Sequence, residues 1–264
     1  QYDNSGVHYE KRPLLTLRDE LDLTSYVADR EVQGEGQIRE VEAQDSVATI
    51  FGYVYVTLKR GTASPGDTFL VVGNQRKLRK SSDHIEDSLD DFGHLVEVQG
   101  EVKLTDIVKS EEDGDEDKDG AEIDTFRALV MKVVNPIRVG ALLIKGRVEA
   151  VGLSKEGSRS DLAAQIVGGS SGSRRQIFSD RSIVFLNRGS MDGVQRGQVF
   201  PIRANRKTRF QDSPIIEDLR TLGLLKIVKV DKRFSTAVVV EAKEEIAAGD
   251  LTGKGAFLER PEGS

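Results

Sequence analysis

A glycine- and serine-rich stretch in the second half of the chain has the residue types of a hydrolase active site. Residues 168–172 read Gly-Gly-Ser-Ser-Gly and fit the G-x-S-x-G pattern, in which a serine nucleophile sits on a sharp turn between a strand and a helix. That chemistry also needs a histidine later in the chain than the serine. All three histidines, His8, His84 and His94, precede Ser170. We therefore interpret the stretch as a flexible loop and predict that the chain is not an enzyme.

An acidic stretch in the first half carries alternating carboxylates of the kind that bind a hard cation. Asp115, Asp117 and Asp119 precede a glycine, as at the start of a calcium-binding loop. An EF-hand would need a glutamate at the twelfth loop position, which is Phe126 here. The sequence favours a solvated, self-repelling loop, with calcium at the three aspartates as the alternative. No other metal site and no cofactor is predicted.

Two basic clusters occupy corresponding places in the two halves of the chain. The clusters are Arg76, Lys77, Arg79 and Lys80, and Arg203, Arg206, Lys207 and Arg209. Matching basic loops suit contact with a polyanion, but single-stranded nucleic acid also needs aromatic side chains that stack on its bases. Only Phe210 lies near either cluster. Exposed polar hairpins are the main interpretation and polyanion binding is the alternative, with no nucleic acid predicted as a partner.

The overall composition excludes several classes of protein but does not identify a partner. The chain has 264 residues, no cysteine and a net charge of −6, so disulfides and thiolate chemistry are excluded. Residues 111–124 alone contribute −8, which leaves the rest at +2. No apolar run approaches the ~18 residues of a membrane helix, so the chain is not expected to span a bilayer.

An internal repeat organises the chain. The matched segments are 36–38 with 146–148, 56–61 with 184–189, 66–69 with 197–200, 100–104 with 223–227, 128–130 with 237–239, and 137–140 with 246–249. The segments keep their order, and two copies of this size indicate tandem domains rather than a solenoid.

The matched segments have the composition of β-strands. They are rich in β-branched and aromatic residues and end at glycine-containing turns, a pattern typical of small barrels. We therefore predict an all-β fold of two tandem small β-barrels, SH3-like or OB-like, after an N-terminal arm. Helix is expected only in short pieces at 16–21, 83–91 and 161–166.

The predicted domain organisation follows from the repeat and its insertions. The parts are an arm at 1–35 that packs on the barrels, a first barrel at 36–145 with an acidic loop insertion at 110–125, a second barrel at 146–256 with a Gly/Ser loop insertion at 154–178, and a flexible tail at 257–264. The arm is assigned to packing because its leucines and Tyr26 make it too apolar for a free linker.

Several short motifs of the second copy occur together in a known group of proteins. They are Asn187-Arg188-Gly189, the turn Asp192-Gly193-Val194-Gln195-Arg196-Gly197, the strand start at Gly223, the valine-rich segment 237–240, and the closing Ile246-Ala247-Ala248-Gly249-Asp250. This pattern resembles the C-terminal region of LysM-containing peptidoglycan-binding envelope proteins of Gram-negative bacteria. It is also similar to the C-terminal barrel of flagellar assembly protein T. The first copy resembles a more divergent half of the same region, and it departs at residues 64–66 and at Ala141.

The resemblance implies a location and a role. It implies a periplasmic protein of the cell envelope, other envelope proteins as partners, and attachment to peptidoglycan through a LysM domain upstream of Gln1, outside this chain. We therefore predict a non-catalytic binding and scaffolding module. The alternatives are a structural component of a flagellar or secretion apparatus built from the same barrels, and a polyanion-binding module that uses the basic loops.

Overall fold

The structure, a computed structural model, describes residues 19–42, 47–78, 93–108, 123–170, 177–204 and 221–253. It is 57% strand and 2% helical, which confirms the predicted all-β class with two barrel-like domains. The arm and first repeat contain β1 (Glu20–Asp22), β2 (Ser25–Ala28), β3 (Gly36–Val41), β4 (Tyr53–Lys59), β5 (Thr68–Lys77), β6 (His94–Ile107), β7 (Ile123–Val133) and β8 (Leu142–Lys145). The remainder contains β9 (Ala150–Gly152), β10 (Ile166–Gly169), β11 (Ile177–Phe178), β12 (Ile183–Leu186), a 3-10 turn (Ser190–Asp192), β13 (Val199–Arg203), β14 (Thr221–Val230), β15 (Ser235–Ala242), β16 (Ile246–Ala247) and β17 (Leu251–Thr252).

Six strands of the first repeat close into a barrel, here called barrel 1. The order around the barrel is β6-β5-β8-β3-β4-β7, and β7 pairs with β6 to complete the ring. Side chains alternate between the two faces of a strand, so Val54, Val56 and Leu58 of β4 fill the interior. Closure leaves no free edge within the ring, and β2 is added outside it on β6.

The second repeat forms a six-stranded half-barrel, here called barrel 2. Its strands follow one another in the order in which β3, β4, β7, β6, β5 and β8 follow one another around barrel 1. The sheet runs β10-β12-β15-β14-β13-β17. An isolated bridge between Gln165 and Leu251 joins the two outer strands. The backbone N–H of Ile166 donates to the carbonyl oxygen of Asp250 at 2.9 Å beside this bridge. In barrel 2 the outer strands are therefore joined by one bridge and adjoining backbone hydrogen bonds, where barrel 1 has the two-residue pairing of β3 with β8.

The two barrels share their register at positions that the sequence repeat aligns. The corresponding pairs are Gly100–Val133 and Gly223–Ala242, Phe69–Val102 and Phe200–Leu225, and Val71–Leu143 and Ile202–Thr252. The two halves of the chain therefore repeat the same cross-strand residue pairs as well as similar sequence.

The structure differs from the sequence comparison at two of the matched segments. The backbone N–H of Ile38 donates to Ala141, and Ile166 makes the same contact with Asp250, so Ile166 rather than Val148 corresponds to Ile38. Strands β10 and β11 consequently lie inside the segment 154–178 that was predicted as a loop insertion. The match of 56–61 with 184–189 is displaced by two residues, because Val54 and Val184 face the equivalent alanines Ala128 and Ala237.

Two of the short helices expected from the sequence fall partly or wholly on described residues, and neither forms there. Segment 161–166 has no helical residue and leads into β10, and residues 20–21 belong to β1. Pairing of β1 with β9 holds residues 20–21 in a strand, and pairing of β10 with β12 does so for Ile166. The third predicted helix, at 83–91, lies outside the described residues.

The arm strand β2 lies between the two barrels. All four of its residues are buried, and the strand pairs with β6 of barrel 1. It takes part in one apolar cluster, called the shared core: Leu23, Tyr26, Val27 and Ala28 of the arm, Val72, Leu95, Val96 and Val98 of barrel 1, Val151 of β9, and Val167, Ile183, Phe185, Val228, Phe234 and Val238 of barrel 2. The barrels and the arm therefore bury one continuous interior in addition to the two barrel cores.

Candidate functional site

The two basic clusters begin at the ends of two corresponding strands, β5 and β13. Arg76 and Lys77 are the last residues of β5, opposite Leu95 and His94 of β6. Arg203 is the last residue of β13. Strands β5 and β13 hold the same place in the strand order of their sheets. The predicted binding residues Arg79, Lys80, Arg206, Lys207 and Arg209 lie outside the described residues.

A cleft of about 660 Å³ opens beside the shared core and contains residues from both repeats and the arm. Its lining residues are Thr24, Ser25, Gln75, Arg76, Leu95, Glu97, Asn135 and Ser170. Arg76 and Ser170 were both identified in the sequence for unrelated reasons, and the fold brings them to this one inter-barrel cleft.

Two amide side chains of the inter-barrel cleft are used to fix the backbone around it. Gln75 Oε1 accepts from the N–H of Val32 at 2.6 Å, and Gln75 Nε2 donates to the carbonyl of Val32 at 2.8 Å. Asn135 Nδ2 donates to the carbonyl oxygens of Thr24 and Val98 at 3.2 and 2.7 Å. Hydrogen bonds from the Gln75 and Asn135 side chains to the backbone therefore hold the polar walls of the cleft in place.

The remaining polar residues that line the inter-barrel cleft include Ser25, Arg76 and Glu97. Ser25 is only 4% exposed, and its hydroxyl has no hydrogen-bond partner among the described residues. Arg76 and Glu97 add one charge of each sign. These groups suit polar contacts with a partner. A serine nucleophile would need an adjacent base, and no histidine lines the described part of the cleft. Sequence reasoning missed Ser25 and Asn135 because they come from separate segments that carry no common motif.

Ser170 directly follows the last residue of β10. Its backbone N–H donates to the carbonyl oxygen of Ile183 in β12 at 3.3 Å. The next described element is the strand β11. A nucleophile elbow needs a strand, a tight turn and a helix, and the described surroundings of Ser170 do not have that order.

The Asn-Arg-Gly motif that carries the family resemblance holds barrel 2 together. Asn187 is fully buried, and its Oδ1 accepts from the N–H of Gln165 at 2.8 Å, beside the bridge that joins the outer strands. Arg188 Nη1 donates to the carbonyl of Asn187 at 3.1 Å, and its Nε lies 3.6 Å from Asp192 Oδ1. A Cβ on Gly189 would lie 2.3 Å from the carbonyl oxygen of Lys232. The motif therefore indicates a barrel architecture rather than a binding site.

Barrel 1 makes a similar turn with an acid from a different element. Gly61 N–H donates to Asp124 Oδ2 at 3.1 Å, and Arg60 Nε lies 3.4 Å from Asp124 Oδ1. In barrel 2 the N–H of Gly189 donates to Asp192 Oδ2 at 3.0 Å. Both Arg-Gly pairs thus have a structural role at the end of β4 or β12.

The predicted calcium ligands lie in a segment that the structure does not describe. Asp115, Asp117 and Asp119 are among these residues, and the calcium alternative stays a prediction. Within the described ranges, no group of three or more His, Asp or Glu side chains is placed to hold a metal ion. The same ranges contain no helix long and apolar enough to cross a membrane.

The fold and these contacts define a class of protein: a tandem pair of barrel-like all-β domains fixed together by an arm strand. Neither a comparison with models of protein families nor one with curated proteins finds a match for the chain.

Proposed function

We propose that this chain is a non-catalytic binding and scaffolding module of the cell envelope. It would belong to a periplasmic, peptidoglycan-associated protein of a Gram-negative bacterium, with a LysM domain elsewhere in that protein. The observation that carries the scaffolding role is the shared core, in which one arm strand and both barrels bury a common interior. Two barrels with a common core act as one rigid body, and rigid bodies position recognition surfaces well.

Directed polar contacts reinforce this rigidity. Val27 N–H donates to Thr236 Oγ1 at 3.0 Å, from the arm into barrel 2. Asp29 N–H donates to Asp231 Oδ2 at 2.8 Å, and the N–H of Arg233 donates back to Asp29 Oδ1 at 3.1 Å. These contacts cross more than 200 residues of sequence. They fix the arm on the turn between β14 and β15 in one orientation, which an apolar contact alone would not do.

The inter-barrel cleft is the recognition surface that we assign to the scaffold. It is open, polar and formed only when the arm and both repeats are in place. Interfaces between domains of one chain often permit relative motion unless they are large and apolar, and here the shared core is apolar. The cleft walls therefore keep their spacing, so a partner meets a preformed site.

Cross-linking in envelope fractions tests the proposal. The bait is the whole chain, with Ser170→Trp to fill the mouth of the cleft and Ser158→Trp as an exposed serine-to-tryptophan control outside it. We expect the wild type and S158W to capture cell-wall enzymes or peptidoglycan-bound proteins, and S170W to capture them several-fold less. Capture of flagellar basal-body proteins instead would contradict the peptidoglycan association. Equal capture by S170W and S158W would contradict the assignment to the cleft.

A further inference from the structure

The outer surface of barrel 1 carries a row of aromatic and apolar side chains on two paired strands. Val54 and Val56 of β4 point inward, so Tyr53 and Tyr55 point outward, and Phe51 is exposed in the turn before the strand. This aromatic face consists of Phe51, Tyr53 and Tyr55 on and before β4, and Arg127, Leu129 and Met131 on β7. Phe51 is 68% exposed and Met131 is 38% exposed. Exposed apolar groups that lie together mark binding surfaces more often than scattered ones do.

Polar groups hold the aromatic face in a defined arrangement. The guanidinium carbon of Arg127 lies 3.6 Å from the centre of the Tyr53 ring. Arg127 Nη2 is 2.7 Å from Glu42 Oε1, and the Tyr55 hydroxyl donates to the same oxygen at 3.4 Å. The hydrogen bond to Glu42 raises the pKa of Arg127 above its ordinary value. The network combines one planar cation with one planar anion, and the guanidinium covers one face of the Tyr53 ring. The most exposed ring of the face is that of Phe51.

Phe51 is held in a backbone conformation that favours glycine. Its φ is 62°, and the N–H of Gly52 donates to the carbonyl oxygen of Thr49 at 3.0 Å across the turn. Left-handed conformations are uncommon for bulky residues, and this turn position is normally glycine or asparagine. The chain thus keeps an exposed phenyl ring at a strained position, although glycine would fit the turn better. The left-handed turn itself is common to both barrels, since Arg181 has a φ of 68° at the equivalent position of barrel 2. The feature specific to barrel 1 is the exposed phenyl ring.

The face of barrel 2 that corresponds to the aromatic face is covered by other parts of the chain. Cross-strand pairing makes Ile183 and Val238 equivalent to Tyr53 and Leu129, and Phe185 and Thr236 equivalent to Tyr55 and Arg127. All four residues of barrel 2 are buried, and three of them belong to the shared core beneath β2. The polypeptide-covered face is mainly apolar, whereas barrel 1 has tyrosine hydroxyls and an ion pair at the same positions.

We infer that the aromatic face of barrel 1 is a binding site for a neutral saccharide. A pyranose ring has an apolar C–H face that packs on an aromatic ring, whose π-surface is negative. Neighbouring sugar hydroxyls match planar groups such as guanidinium and carboxylate, which form paired hydrogen bonds. A neutral network does not attract a polyanion, which needs net positive charge. This inference goes beyond the scaffold proposal, because it concerns another surface and does not depend on the cleft or the compartment.

NMR titration of the whole chain tests the inference directly. The probes are a neutral tetramer of N-acetylglucosamine, a neutral tetramer of glucose and a sulfated heparin octamer. We expect at least one neutral tetramer to shift the backbone amides of Phe51, Tyr53, Tyr55 and Arg127, and the heparin octamer to leave them unchanged. The two neutral probes distinguish a ligand recognised through acetamido groups from one recognised through hydroxyls alone. No shift with either neutral tetramer would overturn the inference.

A matched pair of variants separates binding from turn strain. Phe51→Gly removes the ring and also the left-handed strain, and Arg181→Gly removes the same strain at the equivalent turn of barrel 2, where φ is 68°. The N–H groups of both residues donate to equivalent valines, Val130 and Val239. We expect F51G to bind the tetramer about tenfold more weakly, and R181G to bind it as the wild type does. Equal binding by the two variants would overturn the site, as would wild-type self-association that F51G abolishes.

Discussion

Gly100 and Gly223 occupy the same place in the two barrels, and neither position has room for a side chain. A Cβ on Gly100 would lie 2.2 Å from the carbonyl oxygen of Lys132, and one on Gly223 would lie 2.1 Å from that of Glu241. The strand pairing shifts register just beyond both glycines. Glycine in a strand interior often marks such a bulge, where two backbones approach closely.

Replacing either of these glycines by alanine should destabilise the fold. We expect Gly100→Ala and Gly223→Ala each to lower the free energy of unfolding by about 2 kcal/mol or more, because the added methyl group forces the paired strands apart. Gly152→Ala is the matched control, since a Cβ there meets nothing within 4 Å. Urea unfolding measures all three variants. Equal unfolding free energies for G100A and G152A would show that the close approach is absent.

The buried Tyr26 of the shared core makes the stability of the fold depend on pH in the alkaline range. Burial, followed by the negative charge of Asp231, raises the pKa of Tyr26 from 10.0 to about 12. The unfolded chain loses this proton near pH 10, so the stabilising contribution is complete below that pH and is lost as the pH approaches about 12.

The predicted result is a stability difference that depends on pH. Relative to Tyr26→Phe, the wild type should lose about 1.4 kcal/mol of unfolding free energy between about pH 9 and about pH 11. Groups whose surroundings are the same in both proteins cancel in the comparison. Urea midpoints of both proteins at the two pH values provide the measurement. A constant difference would mean that Tyr26 ionises equally in the folded and unfolded chains.

At the scale of elements, β2 depends on one side-chain acceptor from barrel 2. The strand pairs with β6 on one side, and the N–H of Val27 donates to Thr236 Oγ1 on the other. Thr236 is fully buried, as is the neighbouring Ser235, whose hydroxyl has no partner in the described part of the chain. Adjacent hydroxyl residues in the same strand therefore differ in whether they bond to the arm.

The two hydroxyls should differ in their effect on stability. Thr236→Val leaves the N–H of Val27 buried and unpaired, so we expect a loss of about 1–3 kcal/mol. Ser235→Ala removes a hydroxyl that makes no bond, and its effect should lie within about 0.5 kcal/mol of zero or be stabilising. Thermal unfolding of both variants is the measurement. A larger loss in S235A than in T236V would contradict this account of the arm contact.

Some elements could be predicted from the sequence because their signals are local. The strands from β4 to β7 recur as β12 to β15 with recognisable β-branched runs and glycine turns, and the repeat gave the correct register between the longest of them. The first strand of barrel 2 was missed, because β10 reads Ile-Val-Gly-Gly and resembles a flexible loop. Its strand character comes from pairing with β12 and from backbone contacts to residue 250, which are not visible in local sequence.

Sites formed by distant segments were less predictable than the strands. The inter-barrel cleft combines residues 24, 25, 75, 76, 95, 97, 135 and 170, and the sequence motifs include only Arg76 and Ser170 of these. The aromatic face could not be predicted from the sequence for another reason. Tyr53 and Tyr55 read as ordinary strand residues, and their exposure becomes apparent only when barrel 2 shows the equivalent face covered by the arm.

At the scale of the whole molecule, the shared core makes the two barrels one unit. Arm residues Leu23, Tyr26 and Val27 pack between the barrels, and their removal would expose apolar side chains on both, including Val96 and Phe185. Each barrel also has its own core. Loss of the arm should therefore uncouple the barrels before it unfolds either of them, because each core stays closed.

Deletion of residues 1–28 tests this coupling, with deletion of residues 1–18 as the control. The longer deletion removes β1 and β2, whereas the shorter one leaves every described arm contact in place. We expect calorimetry to show one transition for the control and two for the longer deletion, with a total loss of more than about 4 kcal/mol from the missing apolar contacts. NMR relaxation should show the barrels tumbling independently only in the longer deletion. If that variant keeps a single transition at an unchanged midpoint, then β2 is not what joins the barrels.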